Sequence, residues 1–122
     1  MALTAKALNS VMLIAGTAQA SATTIVTNPA ATDTYITGII LYNSHSAAID
    51  VTLCRVPASG GSIGTDAVTD NFYKESIPAG RAIMLGKEDG LPMVLESTND
   101  TLKAFASITN KINIFVNGVL KT

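Results

Sequence analysis

The chain has 122 residues, a hydrophobic share of 48%, a charged share of only 14% and a net charge of −1. That length suits one domain with one core, and the 8 Lys and Arg are scattered singly, which leaves no basic stripe for nucleic acid or anionic lipid. The only cysteine, Cys54, excludes an intrachain disulfide and reads as a small packed hydrophobe.

Residues 1–22 read as an N-terminal arm. Ala2 to Leu8 reads as a flexible lead-in to a strand around Val11 to Ile14 or, because Ala and Leu favour helix, as a short helical turn. The stretch Val11-Met12-Leu13-Ile14 is apolar and strand-like, and Ala15 to Ala22 is a run of small residues. Lys6, the apolar run and Ala18-Gln19-Ala20 together imitate a signal peptide. The unbroken apolar run is too short for one, and Asn9 and Ser10 interrupt its approach, so no cleavage is expected. No stretch reaches the ~20 apolar residues of a membrane span. Four large apolar side chains on a weakly structured arm need a surface to cover them. Val11, Met12, Leu13 and Ile14 are therefore the candidate interface; the surface is either an edge strand of the chain's own sheet or, the favoured reading, a neighbouring subunit to which the arm adds as a strand.

The domain proper is expected over 23–122. Thr23 to Thr27 is a short strand that Asn28-Pro29 stops. Tyr35 to Pro57 reads as a hairpin, two strands joined by the polar turn Asn43-Ser44-His45-Ser46. On the first, Tyr35, Thr37, Ile39 and Leu41 alternate with Ile36, Gly38, Ile40 and Tyr42. On the second, Ile49, Val51 and Leu53 alternate with Asp50, Thr52 and Cys54. A glycine-rich loop follows, Ala58 to Asp66. Its Gly60-Gly61-Ser62 lacks the Lys-Ser/Thr pair that a phosphate loop requires. Strands are predicted over Val68–Ile77, Arg81–Leu85, Met93–Glu96, Thr101–Ile108 and Ile112–Leu120. Turns separate them at Pro78-Ala79-Gly80, Gly86 to Gly90, Ser97 to Asp100 and Thr109-Asn110. About nine short strands, turns every ten or so residues and no amphipathic helix describe an all-β, antiparallel, jelly-roll-like sandwich.

No catalytic constellation is legible. His45 is the only histidine, and alone it can build neither a zinc site nor a triad. Glu88-Asp89-Gly90 lacks the spacing and distal Glu of a calcium loop. Asp66, Asp70, Glu75, Glu96 and Asp100 are further candidate carboxylates for acid–base work, but a glycosidase usually adds aromatic sugar platforms to its carboxylate pair, and here there is no Trp and an aromatic share of 5%. The Tyr and Phe residues lie at strand positions and suit core or interface packing better than sugar stacking. Neither enzymatic activity nor a cofactor, metal or small-molecule ligand is expected.

Several motifs recur in a fixed order: Tyr35, Asn43-Ser44, Val51-Thr52-Leu53, Pro57-Ala58-Ser59-Gly60-Gly61-Ser62, Ile77-Pro78-Ala79-Gly80, Val94-Leu95-Glu96, Ala104-Phe105-Ala106-Ser107 and Val116-Asn117-Gly118-Val119. This order, over Thr24 to Leu120, resembles small β-sandwich virion structural proteins of tailed bacteriophages. The chain departs from that pattern at Asn28-Pro29-Ala30-Ala31, where such proteins carry Pro-Ala-Gly. The resemblance implies a non-enzymatic capsid decoration or cement subunit, made in the host cytoplasm and located in the virion. Its partners would be copies of itself and other virion proteins, without nucleic acid or membrane. The alternatives are a tail, head–tail or fibre component, and a carbohydrate- or receptor-binding β-module.

Overall fold

Alternating β-branched and aromatic residues fold into ten strands: β1 (Leu3–Ala7), β2 (Met12–Leu13), β3 (Thr23–Thr27), β4 (Asp33–Asn43), β5 (Ile49–Val56), β6 (Asn71–Ile77), β7 (Ala82–Leu85), β8 (Met93–Leu95), β9 (Thr101–Ala106) and β10 (Ile112–Lys121). The computed structural model describes residues 2–122. One sheet, A, runs β1-β10-β4-β7, with β2 also on β10 and β8 also on β4. The other, B, runs β3-β9-β5-β6. All pairings are antiparallel, so the chain is the expected β-sandwich. Its core lies between the sheets, with Ile36, Ile39, Leu41, Ile112, Ile114 and Val116 from A against Ile49, Val51, Leu53, Leu102, Ala104 and Ala106 from B.

Three expectations are corrected. First, β4 and β5 are not a hairpin, for they belong to different sheets. Their apolar faces meet across the core, and the 44–48 turn carries the chain from one layer to the other. Asn43 anchors that crossing. It is fully buried, its Nδ2 donates to the carbonyls of Ala47 and Ile77, and its Oδ1 accepts from the His45 N–H.

Second, strict alternation fails along β4. Ile36 and Ile39 are both fully buried, although period two puts them on opposite faces. The cause is a bulge: Asn117 pairs with Gly38 but Gly118 pairs with Ile36, so Thr37 is left over. One extra residue swaps the faces beyond it. Gly118 allows the two backbones to close at that point, since a Cβ there would collide with the Tyr35 carbonyl oxygen.

Third, the described part of the expected 1–22 arm lies along the 23–122 domain of its own chain. Residues 3–7 form β1 rather than a helical turn, and pair with Asn117–Lys121; β2 pairs with Asn113 and Ile114. The arm thus fills the free edge of the chain's own β10, where it meets backbone donors and acceptors that would otherwise lack strand partners. Ile14 is fully buried in the core of its own chain, with Met12 packed against that core.

Candidate functional site

Of the candidate interface residues, the structure divides Val11 and Leu13 from Met12 and Ile14. Val11 is 61% and Leu13 44% exposed. Met12 and Ile14 point inward, as the two-residue period of an extended chain requires. Ile14 is consequently withdrawn from the interface: its burial is already spent within the monomer. Val11 and Leu13 instead join a larger surface that the sequence reading did not assemble.

That surface is the outer face of sheet A. On β10 the side chains of Ile112, Ile114 and Val116 are buried inward, so Asn113, Phe115, Asn117, Val119 and Lys121 lie on the outer side of the pleat. Register then aligns them in rows. Phe115 pairs with Ile40, and Ile40 with Met84. Leu13 pairs with Asn113, which pairs with Tyr42, which pairs with Ala82. Ala5 pairs with Val119, Val119 with Tyr35 and Tyr35 with Val94. Only the end row, Leu3–Lys121–Asp33, carries charge. Met84 is 76%, Leu3 68% and Tyr42 41% exposed. A hollow of about 310 Å³ opens between Val11, Ile40, Tyr42, Asn113 and Phe115. The outer face of an antiparallel sheet is ordinarily polar; here Asn113 and the exposed Asn117 of the Ala7–Asn117–Gly38 row interrupt rows that are otherwise largely apolar.

Sheet B is different. Its outer side mixes Thr52 and Lys103 with Phe105 and is partly covered by the 57–70 segment, where Ile63 and Val68 are exposed. Lys103 is 9% exposed and its Nζ donates to the Gly64 carbonyl at 2.8 Å. Cys54 pairs in register with Lys103 and is fully buried; its thiol donates to Asn71 Oδ1 at 3.1 Å. Burial first, and then the nearby Asp66 carboxylate, push the Cys54 thiol well above its ordinary range. Asp66 is 6% exposed, and its two oxygens have no hydrogen-bond partner among the described residues. A protonated, covered thiol is a poor nucleophile. The neighbouring hollow, about 520 Å³, is lined by Val56, Pro57, Ser59, Ile63, Thr65 and Asp70 and contains no aromatic ring.

At the end of the sandwich, Asp100 organises the loops. Its Oδ1 accepts from the Ala58 N–H, its Oδ2 from the N–H groups of Ser97 and Glu96, and Arg55 lies 3.5 Å away. Burial alone would raise its pKa, but those donors and the guanidinium outweigh it and hold the carboxyl below the usual range. The hub is structural. His45 lies in the 44–48 turn, its N–H donating to Asn43 Oδ1. Among the described residues no three His, Cys, Asp or Glu side chains gather as a metal site, and no helix is long and apolar enough to cross a membrane. Gly60 and Gly61, both at positive φ, form a two-residue turn closed by reciprocal Ser59–Ser62 backbone bonds.

No protein-family model and no curated protein matches the chain. Among solved structures it is similar to the CBM22-1–GH10 modules of endo-1,4-β-D-xylanase 10B from Clostridium thermocellum, complexed with xylohexaose, at 11% identity and a TM-score of 0.42. That match covers 99% of this chain and 24% of the xylanase chain, and a likeness so weak adds nothing to a functional reading.

Proposed function

We propose that the chain is a non-enzymatic structural subunit of a tailed-phage virion, a capsid decoration or cement protein that works by protein–protein contact. The observation that carries this reading is the outer face of sheet A, apolar over several strands and charged only in its last row. A decoration subunit has to hold its neighbours, copies of itself included, through contact area alone, and a surface with few ions to desolvate suits that task. The order of turn and strand motifs over Thr24 to Leu120, which resembles small virion proteins, supports the same reading. The partners are copies of the chain and other virion proteins, and the location is the particle.

The test is immuno-electron microscopy. Antibody raised against the purified chain is applied to phage particles released by the cells that encode it. Label distributed over the shell is the expected result. Label confined to the tail replaces decoration by the tail-component reading, and particles without label overturn the proposal.

A further inference from the structure

The rows on sheet A's outer face carry a more specific consequence, which rests on the assembly reading above. We infer that this face pairs with the same face of a second copy, about a two-fold axis running along the strands between β10 and β4. Such an axis preserves position along the strands and exchanges the two central strands, so β10 of one copy lies over β4 of the other. Three features of the face match that operation. Phe115 and Ile40 share a row, so the axis sets each against the other across the contact. Lys121 and Asp33 share the end row, so the only charges on those rows meet with opposite sign, once at each side of the axis. Met84, 76% exposed on β7, lies on the opposite side of the axis from Val11, which rims the 310 Å³ hollow. The hollow itself lies between β10 and β4, on the axis, and the exchange sets Met84 of each copy beside the exposed Val11 of the other, an apolar contact at each flank.

A two-fold axis in the face but across the strands does none of this. It would set Lys121 and Asp33 against Asn113 and Tyr42, burying charge without a partner. The face is also large enough. Strand dimensions give it a length of about 27 Å and a width of about 19 Å. Counted on both partners, that footprint of about 510 Å² reaches the roughly 1,000 Å² total that a specific interface needs. Isologous pairing of this kind closes on itself, so it gives a dimer rather than a filament, with the two A sheets about 10 Å apart as in any face-to-face packing.

Sedimentation equilibrium of the full chain tests it. The parent should be a dimer, and Met84→Glu should weaken association by about tenfold or more, because it places a charge in an apolar contact. Met84 is exposed in the monomer, so this variant keeps its fold, as circular dichroism checks. Two charge variants isolate the geometry. Lys121→Asp and Asp33→Lys should each dimerise poorly alone, yet form a heterodimer when mixed. Rescue on mixing arises only if the two positions meet between copies, not within one. A monomeric parent, a dimer indifferent to Met84→Glu, or charge variants without rescue would overturn the pairing. A monomer that still labels the shell loses the pairing and leaves decoration standing; a dimer absent from particles does the reverse.

Discussion

Asp100 shows how one carboxylate secures three loops. Its bonds to the N–H groups of Ala58, Ser97 and Glu96 and its approach to Arg55 are made only in the folded chain. Its folded pKa lies below its unfolded one. The contribution is therefore present above the ordinary carboxylate range, near 3.9, and is lost as pH falls through the folded value. Asp100→Asn should cost about 1.5–3 kcal/mol at pH 7, and urea unfolding at pH 7 and pH 3 should show the deficit shrinking in acid. Cys54 has the opposite sign. The folded thiol keeps its proton where the unfolded one loses it, so this contribution holds below the ordinary thiol value of about 8.5 and declines as pH climbs past it. At pH 8 an aromatic disulfide reagent should modify native Cys54 at least ~100-fold more slowly than the urea-unfolded chain. Equal rates would contradict both the burial and the shift.

Between the residue and the fold stand the strands, and here the sequence was legible unevenly. β5, β9 and β10 alternate cleanly in Ile49–Val51–Leu53, Leu102–Ala104–Ala106 and Ile112–Ile114–Val116, and those inward residues were readable as a core face. β4 was readable as a strand but not in its facing, because the Thr37 bulge depends on how Gly118 approaches Tyr35 from a strand eighty residues later. Pairing was less legible still: the Asn43–Ser46 turn looks like a hairpin turn, and only the need to cover two apolar faces sends β5 to the other sheet. The outer face of sheet A combines residues from β1, β2, β4, β7, β8 and β10, so no local window contains it. The exposure of Met84 and the alternation of Phe115 with buried neighbours were the available signals, but joining them required the register. The bulge makes a direct prediction. Gly118→Ala should destabilise by about 1–3 kcal/mol through overpacking against the Tyr35 carbonyl, with the thermal midpoint falling accordingly. An unchanged midpoint would mean that the bulge yields.

At the scale of the whole molecule, the fold is closed by its own beginning. β1 lies along the last strand, and the Ala2 and Thr122 backbones bond to each other in both directions. Asn9 fastens the next stretch to β10, its Nδ2 donating to the Ile114 carbonyl and its Oδ1 accepting from the Val116 N–H. Ile14 fills the core and its N–H bonds to the Ile112 carbonyl. Removing residues 1–18 therefore strips β10 of the neighbours along its outer edge and opens a cavity where Ile14 sat. The cavity alone costs about 2–5 kcal/mol, and the orphaned backbone groups add to it. Against a total stability of about 5–15 kcal/mol, the truncated chain should lose cooperative unfolding or melt far below the parent. Ile14→Ala, which keeps every strand, should lose only the cavity part. This inverts what an arm ordered on a neighbour predicts, namely a truncated domain that folds normally and fails only in assembly. Thermal melts of the three chains by circular dichroism separate the two: a truncated protein with the parent's midpoint would return residues 1–18 to the role of a detachable arm.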